Sequence, residues 1–240
     1  MSARCLVGTS GWQYPHWRGV FYPEAMRSTD YLAHYCRFFE TVEANVTFYR
    51  DIKDQTVEKW CNLTPKGFLF SLKMSRFVTH IKRLRVEQET LNRFFQKARR
   101  FGEKCGVILI QLPPSLRFER SLFSHFFSLL DGTFKYAVEA RSPSFLQDSF
   151  FQLLEENGIS WCISDSGGRF PYLEAITAPF VYVRLHGPRV LYASSYTERE
   201  LLLWKEKIMG WNRETFVYFD NDYMGYAVRN AILLKQMLLS

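Results

Sequence analysis

Residues that could do chemistry stand at the ends of short apolar segments. In residues 41–49 the apolar residues alternate with Glu43 and Asn45. Because side chains alternate along a β-strand, one face of this segment is apolar and the other carries a carboxylate and an amide. The same alternation surrounds Glu139 and Arg184. The polar residues that leave the predicted strands are Ser10, Glu43, Asn45, Lys73, Gln111, Glu139, Arg141, Asp165, Arg184, His186 and Asn221.

These residue types suit the binding of an anion and acid/base chemistry. Lys73, Arg141 and Arg184 are cations, and the two arginines could grip a phosphate or carboxylate with paired donors. We predict Glu43 and Glu139 as general acid and base, with Asp165 as a third catalytic carboxylate. The predicted substrate-binding residues are Asn45, Lys73, Gln111, Arg141, Arg184, His186 and Asn221, with Trp12 and His80 from nearby loops.

Other interpretations of the same residues stay open. The carboxylates could neutralise the cations within the fold, since charges removed from water need partners. Glu139, Asp165 and His186 could hold a divalent metal ion, although three neighbouring cations disfavour it, and neither a metal nor an organic cofactor is predicted. Nucleophilic catalysis by Ser10 or Cys162 has weak support because the chain contains no Gly-x-Ser-x-Gly motif.

The elements that must position these residues alternate between strand and helix. Eight apolar strands are separated by amphipathic helices, among them residues 54–61, 87–101, 120–130, 148–156 and 197–209. This pattern predicts a single α/β domain over residues 1–240, a TIM-type (β/α)₈ barrel with irregular sixth and seventh units. Since parallel barrel strands all end at one face, the polar residues should meet there. A doubly wound open sheet is the alternative, but no dinucleotide-binding glycine motif follows Gly8.

Composition limits the class of protein. The chain has 240 residues and a formal net charge of +7, and its pI is near 9.2, so an anionic partner is favoured. Five cysteines without a Cys-x-x-Cys motif argue against a disulfide framework or a zinc knuckle. No apolar segment is long enough to cross a membrane, and we expect a cytoplasmic protein that does not bind membranes. The sequence does not predict an oligomeric state.

Several motifs in fixed order resemble the YecE-like family, domain of unknown function 72. They are GTSGW at residues 8–12, VEAN at 42–45, QLPP at 111–114, VEAR at 138–141, YVRLHG at 182–187 and FDN at 219–221. The resemblance covers nearly the whole chain and implies a TIM-barrel-like fold, but no activity. The chain departs from the family pattern at Ser142, where a histidine is usual, and at Asp220, where an asparagine is common.

We therefore expect an enzyme that acts on an anionic small molecule, phosphorylated or carboxylated, by acid/base chemistry. Two alternatives belong to other classes. The basic pI and the aromatic loop that contains Trp12 and Trp17 would also suit a protein that binds or processes nucleic acid. A barrel that binds a metabolite without turning it over would show affinity but no product.

Overall fold

The computed structural model describes residues 3–239 and contains one sheet of eight parallel strands. The strands follow the order β1-β8-β7-β6-β5-β4-β3-β2, so the sheet curls into a nearly closed barrel. They are β1 (Cys5–Thr9), β2 (Thr41–Ala44), β3 (Leu69–Lys73), β4 (Cys105–Gln111), β5 (Lys135–Glu139), β6 (Ser160–Asp165), β7 (Phe180–Leu185) and β8 (Glu214–Phe219). The predicted TIM-type barrel is confirmed.

Helices connect most of the strands. They are α1 (Tyr31–Tyr35), α2 (Val46–Tyr49), α3 (Asp54–Leu63), α4 (Gln88–Arg99), α5 (Arg120–Ser128), α6 (Asp148–Glu156), α7 (Glu198–Trp211) and α8 (Tyr226–Leu239). Thr197 accepts a hydrogen bond from the Glu200 amide and begins α7 with a capping box. The connection from β6 to β7, residues 166–179, contains no helix among the residues described. The predicted irregularity of the sixth unit is therefore present.

The gap between β1 and β2 is bridged by a side chain rather than by a backbone ladder. The Tyr35 hydroxyl accepts a hydrogen bond from the Thr9 amide at 3.0 Å and donates to the Thr41 carbonyl at 3.1 Å. Gly8 permits this close approach, because a Cβ atom there would lie 2.4 Å from the Thr41 carbonyl oxygen. The barrel is thus closed at this seam by packing and one tyrosine.

The interpretation of residues 41–49 as one strand was wrong in its second half. The strand ends at Ala44, and residues Val46–Tyr49 form a helical turn. The Thr47 hydroxyl donates to the carbonyls of Ala44 at 3.0 Å and of Lys73 at 2.7 Å, which ties the turn to β3. The turn carries Phe48 to a position beside Lys73.

The barrel has an interior and an outer layer, and alternation along each strand sorts the residues between them. A compact interior cluster contains Leu6, Val107, Leu109, Ala137, Cys162, Phe180, Tyr182, Phe216 and Tyr218. The opposite faces, for example Val181 and Val183 of β7, pack in the larger layer beneath the helices. The interior is therefore a packed core with polar side chains at its carboxyl-terminal end, while Lys135 and Glu214 form an ion pair at the amino-terminal end.

No helix within residues 3–239 is long and apolar enough to cross a membrane. The assignment of residues 1–240 to a single domain includes residues 1, 2 and 240, which lie outside the described residues, and it stays a prediction.

Candidate active site at the carboxyl-terminal end of the barrel

Each strand supplies one polar residue to the top of the barrel interior. In β7 the interior residues Phe180 and Tyr182 are followed two residues later by Arg184, and in β8 Tyr218 is followed by Asp220. The same spacing holds around the barrel because successive side chains alternate between faces. This upper layer comprises Ser10, Glu43, Lys73, Gln111, Glu139, Ser164, Arg184 and Asp220.

Arg184 lies at the centre of the upper layer and is only 1% exposed. Its guanidinium forms a bidentate pair with Glu43, with Nε 3.0 Å from Oε2 and Nη2 2.8 Å from Oε1. Nη1 donates to Glu139 at 2.7 Å, and Nη2 also donates to Asp220 at 3.0 Å. Bidentate charged pairs of this kind are strong and directional. All three guanidinium nitrogens of Arg184 are therefore already engaged with carboxylates.

His186 extends this network from the next position on the same strand face. One ring nitrogen, Nε2, lies 2.9 Å from Glu139, and the other, Nδ1, lies 3.0 Å from Asp220. Glu43 receives two further hydrogen bonds, from Ser10 at 2.9 Å and from Tyr182 at 2.8 Å. We call Arg184, Glu43, Glu139, Asp220 and His186 the Arg184 network.

The electrostatics of the network keep Glu139 and Asp220 ionised. Burial alone would raise the pKa of Glu139, but Arg184 and then Arg141 and His186 hold that pKa well below its usual value. Burial opposes ionisation of Asp220 as well, yet Arg184 and His186 lower its pKa to about 2. Since Glu43 and Glu139 are both 0% exposed, the predicted acid and base contact Arg184 rather than open solvent.

Above the network lies a cavity of about 790 Å³. Its size suits a small-molecule ligand. Its walls come from loops and strand ends around the barrel, and most of the polar lining residues are cationic or neutral. The cavity is lined by Asn45, Phe48, Tyr49, Lys73, Arg76, His80, Gln111, Arg141, Arg184, Tyr192, Ala193, Asp220, Asp222 and Tyr223.

Lys73 differs from Arg184 in its partners. It is the last residue of β3 and is 7% exposed, and its Nζ lies 4.4 Å from the centre of the Phe48 ring. No salt bridge to Lys73 forms within the described part of the chain. Burial, with repulsion from Arg184, lowers the pKa of Lys73 to about 8 although Glu139, Glu43 and Asp220 act in the opposite direction.

Arg141 and His80 line the cavity together with Lys73, and of these two only Arg141 is a cation near pH 7. The Arg141 guanidinium stacks over Phe170 at 4.2 Å and makes only long contacts, 3.4 Å to Glu139 and 3.3 Å to the Tyr192 hydroxyl. Burial and the charges of Lys73, Arg141 and Arg76 lower the pKa of His80 to about 4. His80 is therefore neutral near pH 7, and its Nε2 lies 3.4 Å from the Gln111 amide nitrogen.

Asp222 is a lining residue that the sequence did not indicate. The Trp17 indole nitrogen donates to its Oδ1 at 2.7 Å, and His16 lies 2.9 Å from Oδ2. Burial, reinforced by the charge of Asp220, raises the pKa of Asp222 to about 6 although Trp17 and His16 lower it. This carboxyl group titrates much closer to neutrality than that of Asp220.

Two predicted site residues lie outside the cavity because they stand one position off the interior face. Asp165 follows Ser164, and its carboxylate accepts hydrogen bonds from the Tyr196 hydroxyl at 3.0 Å and the Gly167 amide at 3.4 Å. Asn221 follows Asp220, and its amide nitrogen donates to Ser194 and Asn230 at 2.9 Å each. Both residues anchor the loop after β7 and are not among those lining the cavity.

Trp12 also lies outside the cavity. It is 4% exposed, and its ring packs edge-on against Trp60 with centres 4.8 Å apart. Trp17 and Tyr22 of the same loop are fully buried, so the loop forms a small core of its own. The predicted contact of Trp12 with a ligand does not agree with this burial.

Asp220 and Ser164 are the interior residues that the sequence reasoning missed. Ser164 points towards Glu139, with its hydroxyl 3.4 Å from Oε1, and Asp220 contacts both Arg184 and His186. Strict counting by two from Cys162 in β6 and from Tyr218 in β8 would have selected them instead of Asp165 and Asn221. The prediction of Asp165 and Asn221 gives more weight to residue type than to the alternation of side chains along the strand.

The proposed metal ligands do not come together. Glu139 and His186 are in contact, but the Asp165 carboxylate is held by Tyr196. Within residues 3–239 no group of three or more His, Cys, Asp or Glu side chains is arranged to hold a metal ion.

Comparison with known proteins assigns the chain to a family. The family described as "Protein of unknown function DUF72" matches residues 6–240. The chain belongs to this DUF72 family. The resemblance drawn from the motifs is thereby confirmed.

Relatives span nearly the full chain. The YecE protein of Escherichia coli K12, described as a UPF0759 protein, is 26% identical over 88% of this chain and 84% of its own length. The crystal structure of a DUF72 family protein of Thermotoga maritima has a TM-score of 0.88 and 29% identity, covering 99% of this chain and all of that one. A glycoside hydrolase family 5 enzyme of Prevotella bryantii shares the fold alone, with a TM-score of 0.51 and 8% identity over 98% of this chain and 95% of that one.

Proposed function

We propose that this DUF72 protein is an enzyme that binds an anionic small molecule in the cavity above the Arg184 network. The observation that carries the proposal is the environment of Lys73. The Lys73 side chain faces the cavity and the residue is only 7% exposed, yet it forms no salt bridge with any described residue. A buried charge without a partner is costly, and an anionic ligand would supply the partner.

Unused polar atoms support the same ligand class. Nε of Arg141 and Oδ1 of Asn45 are buried and lack a hydrogen-bond partner among the described residues, and both residues line the cavity. Buried polar atoms are usually satisfied. Arg141 could donate to a carboxylate or phosphate while Asn45 accepts from a hydroxyl of the same molecule.

Acid/base chemistry would fall to the groups that both line the cavity and titrate near neutrality. Lys73 has a pKa lowered to about 8, and Asp222 has a pKa raised to about 6. Such a pair can divide proton donation and acceptance near pH 7. In this proposal Glu43 and Glu139 are positioning residues, because they hold Arg184 in place. The acid/base role predicted for them from the sequence stays a prediction.

A thermal-shift titration tests the binding step. Wild type, Lys73→Met and a control, Lys66→Met, would be titrated with sulfate, phosphate, pyruvate and acetate. Lys66 is exposed and lies before the amino end of β3, whereas Lys73 is the last residue of that strand. A ligand at a hundred times its dissociation constant stabilises the native state by about 2.7 kcal/mol. We expect a shift in wild type and Lys66→Met that is lost in Lys73→Met. Equal shifts in all three proteins would contradict the proposal.

The nucleic-acid alternative receives less support. Two short basic segments of the sequence, residues 82–85 and 97–100, contain ion pairs with acids, since Arg85 contacts Glu119 and Arg100 contacts Asp54. Short oligonucleotides belong in the same titration, because a steep loss of affinity with rising salt would favour this alternative over a small ligand.

A further inference from the structure

Lys73 differs from other lysines that the fold places near acceptors. Lys97 is held by Asp54, and the Lys104 ammonium donates to the carbonyls of Cys61 and Thr64 at 2.6 Å each. Lys207 and Lys235 likewise pair with carboxylates. Lys73 instead lies against an aromatic face, with its Nζ 4.4 Å from the centre of the Phe48 ring. Lys73 therefore faces the cavity, and no described residue accepts a hydrogen bond from its ammonium group.

The neighbours of Lys73 favour the uncharged amine. Phe48 covers one side, Arg184 is a fixed positive charge nearby, and the neutral His80 packs against the same Phe48 ring with centres 5.0 Å apart. A lysine that is desolvated or placed next to another cation becomes a nucleophile, because its lone pair is free near neutral pH. Glu139, Glu43 and Asp220 offset this only in part, since their charges are already shared with Arg184.

We propose that Lys73 attacks the carbonyl carbon of the substrate and forms a Schiff base, so that the substrate is an anionic aldehyde or ketone. This inference rests on the proposed function, because the anionic group of the substrate binds in the same cavity beside Lys73, where Arg141 and Arg76 also line the wall. It goes further by naming a covalent nucleophile and the functional group that it attacks.

The step balances with groups that line the cavity. The Nζ lone pair forms the C–N bond while the carbonyl π electrons move to oxygen, and Nζ then transfers one proton to that oxygen. Protonated Asp222 supplies the second proton, the C–O bond breaks, and water leaves. The products are the iminium ion on Lys73, one water molecule and the Asp222 carboxylate, so that charge is conserved. No oxidant or reductant is needed.

Reductive trapping tests the inference. In separate reactions, the protein would be treated with sodium cyanoborohydride together with glyoxylate, with pyruvate or, as a control, with the uncharged propionaldehyde. Trapping adds the mass of the probe less one oxygen atom, and peptide mass spectrometry locates the adduct. At pH 7 the free-amine fraction of a lysine with a pKa of about 8 exceeds that of an unperturbed lysine by roughly two orders of magnitude. We expect Lys73 to be labelled by the anionic probes at least about tenfold faster than Lys66.

Lys73→Arg provides the second measurement, since it keeps the positive charge and cannot form a Schiff base. We expect this variant to retain the thermal shift with sulfate but to form no adduct at position 73. Labelling of surface lysines with none at Lys73 in wild type would overturn the inference even if this variant failed to fold. In that case a sulfate shift that disappears in Lys73→Met would still support the proposed function. Absence of any anion-dependent shift would remove both.

Discussion

Two sets of charges lie at the same end of the barrel and differ in how they are satisfied. In the Arg184 network every guanidinium nitrogen faces a carboxylate at 2.7 to 3.0 Å, and both ring nitrogens of His186 have an acidic partner. In the cavity wall Lys73 forms no salt bridge within residues 3–239, and Arg141 has a buried nitrogen without a partner. The charges of the Arg184 network are paired with one another, whereas Lys73 and Arg141 keep donors without a partner among the described residues.

Charged residues at the mouth of one barrel can therefore have two different roles. A paired, buried network fixes the geometry of the strand ends, and removal of one member leaves the others uncompensated. An unpaired cation weakens the fold but gains when a ligand binds. Substitution of Arg184 and substitution of Lys73 should therefore change stability in opposite directions.

The largest effect is expected from Arg184→Met. The substitution leaves Glu43, Glu139 and Asp220 buried without their cation, so the free energy of unfolding should fall by about 3–5 kcal/mol. Urea denaturation measures the change. Arg141→Met serves as the control, since its contacts are longer, and its loss should be clearly smaller. Equal losses in the two variants would remove the distinction between the sets.

A smaller effect of opposite sign is expected from Lys73→Met. The pKa of Lys73 falls from 10.5 to about 8 in the folded state, so the unfolded chain binds this proton more tightly. At pH 7 the methionine should raise the free energy of unfolding by about 1–3 kcal/mol, less any loss of packing. In wild type the destabilising effect of Lys73 decreases as pH rises from about 8 towards 10.5, because the folded state has already released the proton that the unfolded chain still binds. A destabilised variant at pH 7 would show that Lys73 also supports the fold.

The smallest effect is a pH dependence of anion binding. Sulfate keeps its charge between pH 7 and pH 9, whereas Lys73 loses its proton through a pKa of about 8, so affinity should fall by roughly tenfold over that range. Calorimetric titration at several pH values measures it. The charged groups that act on Lys73 are Arg184, Glu139, Glu43 and Asp220.

Lys73→Arg is the control for this titration, because an arginine stays charged throughout the range. Its affinity for sulfate should be nearly independent of pH. If wild type and Lys73→Arg followed the same pH profile, another group would have to carry the dependence.

The fold and most of the site could be predicted because strand periodicity is a local property. Alternation selected Glu43, Glu139, Arg184 and His186 correctly as residues of one face, and all four meet in the network. The same rule would have selected Ser164 and Asp220, but the prediction chose the neighbouring Asp165 and Asn221 for their residue type. The helical turn at Val46–Tyr49 was missed because it depends on hydrogen bonds from Thr47 to another strand.

The sequence pattern predicts the order of strands and helices, the barrel and the polar strand ends. The tertiary structure sets which charges pair with one another and which face the cavity. Pairing depends on distances between residues far apart in the chain, such as the 2.8 Å between Arg184 and Glu43. The pKa values of Lys73 and Asp222 depend on burial by several segments at once. Local periodicity carries no information about either quantity.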